Sequence, residues 1–371
     1  MIGTNDRNFH SFGVQHTLKW EKHSSQYSSR LEMGIRYHGD RVIRLHTQSP
    51  YQMISSELIP YGDELETLLH SDTHANALAA YVHEDLQFGS VHLFPSGRLE
   101  VVEGSRQDIG SERSPSILRS TLLPGMGALY EIDDWSNIFI GAHRGFSPVS
   151  PGQPEDVLPE FSWNYEAGIR YGLDKNHVEI IGFFNDYQNL TGQCTMSGGC
   201  DPDNVDRIFN GGKVWIYGLE SIAGIQWALT PELSLPINVS YTLTQSQFQT
   251  SFTSSFPQFG SVQVQDALPY VATHQGNIQL GLEWKNIQFL SSASYRSEML
   301  NQAGTFDEAN IPALLLFDSS LRVSLGKNWH LYFRGNNLTN ERSIVSYRPY
   351  GARPNAPLQI MGGLKWETAP K

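Results

Sequence analysis

Alternation of apolar and polar residues with a period of two is the feature that most constrains this chain. Between positions 274 and 284 the even positions carry His, Gly, Ile, Leu, Leu and Trp, whereas the odd positions carry Gln, Asn, Gln, Gly and Glu. The same pattern recurs over 12–21, 163–171 and 315–325. Because successive side chains of a strand point to opposite faces, each run predicts a strand with one apolar and one polar face.

The predicted strands are long, and their connections alternate in length. We predict an all-β fold of about fifteen strands, most of ten residues or more. Strands of globular domains commonly have about 5–6 residues, whereas a tilted strand that crosses a bilayer needs about 9–11. Short turns such as 133–134 and 285–286 alternate with long loops such as 41–72 and 190–212. Short turns on one rim and long loops on the other are typical of an outer-membrane antiparallel β-barrel.

Aromatic residues mark the short-turn ends of several predicted strands. They are Trp20, Trp135, Tyr171, Trp227, Trp284, Trp329 and Trp366. Trp and Tyr favour the headgroup level of a membrane, so these residues predict a girdle at one interface. The alternative is that they line the edge of the core of a soluble β protein.

Composition excludes several other classes of protein. Charged residues make up 17% of the chain and aromatic residues 11%, which argues against disorder. The net charge is −12 and no Lys/Arg run exceeds two residues, which argues against a nucleic-acid partner. No window of eighteen apolar residues is present, so no transmembrane helix is predicted.

The direction of the strands predicts a larger barrel. The last predicted strand, 355–367, should end on the short-turn, periplasmic rim. Counting back, strand 11–22 then runs towards the same rim, and residues 1–10 are expected in an outside loop. Bacterial single-chain barrels have an even number of strands. We therefore expect residues 1–371 to be the C-terminal part of a larger barrel, with the start at Met1 reflecting a truncation and no plug domain in the chain.

The two cysteines, Cys194 and Cys200, lie six positions apart in a segment rich in Gly and Ser. An exported chain passes through an oxidising compartment, so we predict a disulfide that stiffens an outside loop. A redox or metal-binding pair is the alternative, although the spacing is not C-x-x-C and no His lies nearby. No catalytic or phosphate-binding motif is recognised. The prediction is therefore a protein that is not an enzyme, with no cofactor, no catalytic residue and no metal site.

Arginines in and beside the predicted loops suggest a binding site for an anion. Arg44 follows a strand into the first long loop, Arg98 lies on a strand, Arg144 ends a strand, and Arg348 lies in the last long loop. Arginines that converge on a barrel mouth can bind an anionic ligand through bidentate hydrogen bonds. The alternative for each is an ion pair with a carboxylate of the wall. Candidate carboxylates are Glu32, Glu100 and Glu166.

Several segments resemble TonB-dependent outer-membrane receptors, and some point to the ferric dicitrate receptor-like branch. They are GAHRGFSPVSPG (141–152), SWNYEAGIRY (162–171), FNDYQN (184–189), GNNLTN (335–340), GARPNAP (351–357) and GGLKW (362–366). The resemblance implies a barrel of about 22 strands around a plugged lumen, in the bacterial outer membrane. It implies import of a ferric chelate such as ferric citrate or a siderophore, driven through contact with TonB.

The resemblance also suggests roles for particular residues and partners. It implies that Arg44 and Arg98 hold the anionic chelate and that the loop around Tyr347 and Arg348 closes over it. The implied partners are TonB, acting through the plug of the full-length protein, and outer-membrane lipid and lipopolysaccharide. The chain departs from the family in lacking the plug, the TonB box and about seven strands, and in ending on ETAPK rather than on an aromatic residue.

Other functions remain open from the sequence. A passive porin-like channel or an adhesion barrel would need neither a plug nor energy coupling. A soluble β-sandwich could bind carbohydrate through exposed Trp and Tyr. A non-functional remnant is a further possibility, because an open sheet leaves two unpaired edges, which are costly in lipid.

Overall fold

The computed structural model describes residues 2–62, 65–110, 116–153, 157–193, 208–254, 256, 258–304, 310–348 and 351–367. In chain order the strands are β1 (Ile2–His23), β2 (Ser28–Ser49), β3 (Tyr51–Ile54), β4 (Glu57–Pro60), β5 (Glu66–Phe88), β6 (Val91–Asp108), β7 (Ile117–Glu131), β8 (Ser136–Ser147), β9 (Glu160–Leu173), β10 (Asn176–Gln188), β11 (Thr191–Gln193), β12 (Ile208–Asn210), β13 (Val214–Thr230), β14 (Leu233–Phe248), β15 (Phe252–Thr253), β16 (Ser261–Val262), β17 (His274–Trp284), β18 (Ile287–Arg296), β19 (Leu314–Leu325), β20 (Trp329–Asn336), β21 (Ile344–Ser346), β22 (Arg353–Pro354) and β23 (Gln359–Trp366). Among these residues no helix is long and apolar enough to cross a membrane.

Fifteen of the strands form one antiparallel sheet in which chain neighbours are sheet neighbours. Its order is β1-β2-β5-β6-β7-β8-β9-β10-β13-β14-β17-β18-β19-β20-β23. The eight remaining strands form four two-stranded hairpins: β3-β4, β11-β12, β15-β16 and β21-β22. The predicted all-β class and the number of long strands are confirmed.

The register divides every strand of the sheet into two faces. Directly opposed residues share a face, so the ladder Ala142↔Tyr165, Tyr165↔Phe184, Phe184↔Tyr217 carries one face across four strands. We call this the outward face, because its apolar side chains are exposed in a continuous band, as lipid requires. The opposite, inward face carries most of the Arg, Lys, Glu and Asp side chains of the sheet. The alternation seen in the sequence thus corresponds to the two surfaces of a membrane-spanning wall.

The connections are sorted by rim as predicted. The short ones, on the short-turn rim, are 24–27, 89–90, 132–135, 174–175, 231–232, 285–286 and 326–328. The long ones, on the loop rim, are 50–65, 109–116, 148–159, 189–213, 249–273, 297–313 and 337–358. All seven aromatic residues predicted for the girdle are exposed, with Trp20 at 70%.

Turn chemistry explains the tight connection between β7 and β8. The Asp133 carboxylate accepts hydrogen bonds from the Ser136 hydroxyl at 2.8 Å and from the Trp135 backbone N–H at 2.9 Å. These bonds hold the pKa of Asp133 below its usual value, the Ser136 bond having the larger effect. A short turn with its own hydrogen bonds lets the chain reverse on the rim without burying polar groups.

The expectation that residues 1–10 form an outside loop is wrong. Residues 2–10 continue β1, and they pair with β2 from Ile2↔Ser49 to His10↔Arg41. The predicted loop at 41–72 is shortened accordingly, since β2 runs to Ser49. Over residues 2–10 both faces of β1 carry mainly polar residues. The alternation that marks a strand in lipid is therefore absent, although the backbone ladder with β2 continues.

Long loops fold over the inward face at the loop rim. Val214 and Phe248, both inward, are fully buried in a cluster with Phe256, Phe259 and Val262 of the loop 249–273. Several strands away on the same inward face, the Arg119 guanidinium donates a hydrogen bond to the Val157 carbonyl at 2.9 Å. The loops therefore cover part of the outer end of the interior.

Candidate functional site

Arginines collect on the inward face of four strands on one side of the sheet. They are Arg7 on β1, Arg36 and Arg44 on β2, Arg106 on β6 and Arg119 on β7. Arg36 lies midway along its strand, and the other four lie nearer the loop rim. Side chains alternate between the two faces along each strand, and the register puts all five arginines at positions that face inward.

Arg7 and Arg44 are directly opposite each other in the β1–β2 ladder. Arg7 Nε donates to Asn5 Oδ1 at 2.8 Å, and Arg44 Nη2 lies 3.3 Å from His46 Nε2. Like charges directly opposite each other on two strands are destabilising. The pair nevertheless brings two positively charged side chains together on the inward face near the loop rim.

Arg98 is inward but lies in a different part of the wall. Its Nε donates to Glu100 Oε1 at 2.6 Å, so the ion pair considered for it from the sequence is present. Arg44 is level with Asp108 of β6, because Arg44 opposes Ser71 of β5 and Ser71 opposes Asp108. Arg98 lies ten residues along β6 from Asp108, so it is roughly 33 Å along the strand direction from the level of Arg44. The structure does not bring Arg44 and Arg98 together.

Arg144 occupies an outward position. It opposes Trp163 in the β8–β9 ladder, on the face that also carries the exposed Ile138 and Ile140. Its guanidinium carbon lies 4.4 Å from the centre of the Phe161 ring, a cation–π contact. The outward position of Arg144 could have been predicted from the sequence, because Arg144 lies at an even position like the two outward isoleucines.

Tyr347 and Arg348 lie between β21 and β22, within the long connection 337–358, whose two ends are joined by hydrogen bonds of Asn337. Buried Asn337 donates to the carbonyls of Glu341 and Ala356, both at 2.9 Å, and accepts from the Glu341 N–H at 2.8 Å. Asn337 belongs to the asparagine-rich segment 335–340, so that segment has a structural function in positioning this loop. Closure of the loop over a ligand stays a prediction.

Sequence reasoning missed Arg7, Arg106 and Arg119. Arg7 fell in the segment taken for a loop. A signal was available for Arg106, whose Nε donates to Asp108 Oδ1 at 2.8 Å. Positions i and i+2 of a strand share a face, so an Arg two residues before an acceptor predicts a contact between them along the wall.

The predicted disulfide has no described counterpart. Cys194 and Cys200 lie outside the described residues, so their pairing stays a prediction. Within the described ranges, no group of three or more His, Cys, Asp or Glu is placed to hold a metal ion.

Known families and structures match this architecture. The family described as TonB dependent receptor-like, beta-barrel, matches residues 2–338. The unliganded ferric citrate transporter FecA superposes with a TM-score of 0.79 at 19% identity, over 98% of this chain and 55% of FecA. The closed form of the ferric-catecholate import receptor Fiu from E. coli K12 gives 0.77 at 15% identity, over 98% and 55%. The siderophore receptor PiuA from Acinetobacter baumannii gives 0.77 at 14% identity, over 98% and 56%.

These likenesses define the fold and its location. The chain spans little more than half the length of the solved structures that it matches. Those structures are receptors of the bacterial outer membrane, which is where the exposed apolar band and the aromatic girdle of this sheet place it. With the family match extending over nearly all of its strands, the chain belongs to the TonB-dependent receptor β-barrel family, a family of transporters rather than enzymes.

Proposed function

We propose that residues 1–371 form the C-terminal part of the barrel of a TonB-dependent receptor that imports an anionic ferric chelate such as ferric citrate. The observation that carries the proposal is the pair Arg7 and Arg44, directly opposed on the inward face near the loop rim. The structural similarity to a ferric citrate transporter agrees with it. The role is transport and not catalysis, and it requires no cofactor.

The guanidinium groups would act by binding and orientation. Arginine presents a planar fork of donors that matches a carboxylate in a bidentate arrangement, and it stays charged at any physiological pH. Arg7 and Arg44 would take the carboxylates of the chelate, and Arg119 would add a further cation farther along the wall. The loop that carries Tyr347 and Arg348, at the opposite end of the strand order from β1 and β2, would then close over the ligand.

Release into the periplasm would need energy coupling that the wall alone does not supply. In this proposal TonB contacts the plug of the full-length receptor and drives the release. The loops that fold over the inward face favour a gated interior over a passive channel, because an open pore would need its outer end clear.

Binding of ⁵⁵Fe-labelled ferric citrate to the full-length receptor in isolated outer membranes tests the proposal. We expect Arg44→Gln and Arg7→Gln each to weaken binding by about tenfold or more, since a hydrogen bond to a charged group contributes about 1.5–3 kcal/mol. Arg98→Gln should have a smaller effect, because Arg98 is paired with Glu100.

Arg41→Gln is the matched control. Arg41 lies on the same strand as Arg44 but faces outward, where it pairs with Asp72 at 2.7 Å. It should bind ferric citrate like the wild type. Unchanged affinity in both Arg7→Gln and Arg44→Gln would remove the site, and failure of the wild type to bind ferric citrate would remove the proposed substrate.

A further inference from the structure

The two arginines of the proposed site each contact a neutral acceptor two positions away on the same strand. Arg7 Nε donates to Asn5 Oδ1 at 2.8 Å, and Arg44 Nη2 lies 3.3 Å from His46 Nε2. The register places Asn5 directly opposite His46, just as it places Arg7 directly opposite Arg44. Because positions i and i+2 of a strand share a face, all four side chains face inward. The same contact therefore occurs side by side on β1 and β2.

The contact with Arg44 assigns a protonation state to the ring of His46. A guanidinium has donors only, so the Nε2 atom that receives the hydrogen bond is the unprotonated nitrogen of a neutral imidazole. His46 is 4% exposed, and the neighbouring Thr47 is 7% exposed. The hydroxyls of Thr4 and Thr47 lie 2.6 Å apart and join β1 to β2 at this level. Burial and this bond between the strands limit the movement of the His46 ring.

Two other inward arginines contact a carboxylate at the corresponding position. Arg98 Nε donates to Glu100, and Arg106 Nε donates to Asp108. Each of these carboxylates offsets the charge of its arginine. The two neutral acceptors of β1 and β2 orient a guanidinium without bringing a negative charge to it. An anion is attracted more strongly to a guanidinium whose orienting partner is neutral.

We propose that Asn5 and His46 are positioning residues for the anionic chelate, which hold Arg7 and Arg44 in orientation through neutral acceptors. An arginine that is already held loses less side-chain entropy when a ligand binds, so the complex is stronger. The role of both residues towards the ligand rests on the proposed function. The orientation of Arg44 by His46 is a property of the chain alone.

Binding of ⁵⁵Fe-labelled ferric citrate to the full-length receptor in isolated outer membranes measures the role of His46. His46→Phe keeps a ring but removes the acceptor, so binding should weaken about fivefold, the equivalent of one hydrogen bond. His46→Gln returns an acceptor close to the position of Nε2 and should bind like the wild type. A role in packing alone would give the opposite order, because Phe is closer to His in shape.

A double variant separates an effect through Arg44 from a general loss of structure. In the Arg44→Gln background, His46→Phe should cause no further loss of binding, because the hydrogen bond that it removes is already absent. Additive losses would overturn the positioning role. Asn336→Ala is the matched control: Asn336 accepts from Arg334 at 2.8 Å in the same way on β20, where no arginine lies opposite Arg334. It should bind ferric citrate like the wild type.

Asn5→Asp tests whether the neutral charge of the acceptor matters. The new carboxylate can still accept from Arg7 but offsets its charge, so binding of ferric citrate should weaken about tenfold. Asn5 is exposed, so the substitution leaves the packing of the sheet intact. Asn8→Asp adds the same charge at an outward position of the same strand and should bind like the wild type. Wild-type binding by Asn5→Asp would overturn the role of Asn5.

A measurement without ligand distinguishes a failure of this positioning role from a failure of the proposed function. Phenylglyoxal modifies arginine side chains, and mass spectrometry of peptides from the 371-residue chain reports how fast Arg44 reacts. Modification should be several-fold faster in His46→Phe than in the wild type and His46→Gln. That result, with no binding of ferric citrate by the wild type, would remove the proposed substrate but support the orientation of Arg44 by His46. Equal rates in His46→Phe and the wild type would overturn it.

Discussion

A recurrent contact of the inward face joins an arginine to an acceptor two positions away on the same strand. Arg98 with Glu100 and Arg106 with Asp108 are examples. Such contacts are local, so they orient each guanidinium without help from distant parts of the chain.

Buried Asn337 links the two ends of the last long loop through its side-chain hydrogen bonds. Replacing it with Ala removes the acceptor of the Glu341 N–H and the donors to two carbonyls. We expect a loss of about 2–3 kcal/mol of local stability, because buried polar groups are left without partners. Faster hydrogen exchange at Glu341 is the measurement. Asn336→Ala is the control, and equal exchange in the two variants would contradict the assigned function of Asn337.

Among the elements, β1 and β2 show that backbone pairing and membrane crossing end at different places. The ladder between them covers 22 residues, whereas a tilted strand needs only about 9–11 to span hydrocarbon. The outer parts of both strands therefore rise above the bilayer. Arg7 and Arg44, the residues of the proposed site, lie in these outer parts.

The end of β23 is held by charges, which predicts a pH dependence. Glu367 pairs with Lys365, and its carboxylate also lies 3.4 Å from both Arg322 Nη2 and His330 Nε2. The hydrogen bond from Lys365, followed by the charges of Lys365 and Arg322, holds the pKa of Glu367 below its usual value. A carboxyl group with a depressed folded-state pKa stabilises the fold at pH values above its unfolded-state pKa.

The stabilisation from Glu367 should therefore be complete above about pH 4.3 and be lost as the pH falls through the lower, folded-state pKa. Thermal unfolding of wild type and Glu367→Gln in detergent between pH 7 and pH 3 tests this. The wild type should be the more stable protein at pH 7, with the difference shrinking towards pH 3. A difference that stays constant over the whole range would disprove the role of Glu367.

For the molecule as a whole, the direction of the two edge strands limits how the wall can close. β1 and β23 both run from the loop rim to the short-turn rim, and no ladder joins them among the described strands. Direct pairing would be parallel, whereas every described ladder of the sheet is antiparallel. Antiparallel closure therefore requires an odd number of further strands between β1 and β23, which agrees with a sector of a larger barrel.

The sorting of the connections predicts the orientation of the chain in the membrane. In a background with Cys194→Ser and Cys200→Ser, a membrane-impermeant maleimide should label Gln263→Cys, in the loop 249–273, in intact cells. Lys175→Cys, in the turn 174–175, should be labelled only after the outer membrane is permeabilised. Both positions are exposed, so access alone decides the result. Labelling of Lys175→Cys in intact cells would reverse the proposed orientation.

The period-two pattern alone predicted the strand count, the two faces and the sorting of the rims. This is possible because the face of a side chain depends only on its parity along one strand, and lipid on one side demands apolar residues at every second position. The pattern also predicts the outward position of Arg144, because Arg144 shares a face of β8 with Ile138 and Ile140. Resemblance of short segments supplied the family.

Only the tertiary structure decided which residues meet. Arg7 and Arg44 are 37 positions apart, and they lie opposite each other because of the register of β1 and β2. The local sequence does not specify this register, because both faces of this part of β1 are polar. The inward folding of the loop 249–273 likewise depends on a cluster that joins Phe256 and Phe259 of the loop to Val214 of β13. Local periodicity specifies faces, whereas register and loop packing arise from contacts between segments far apart in the chain.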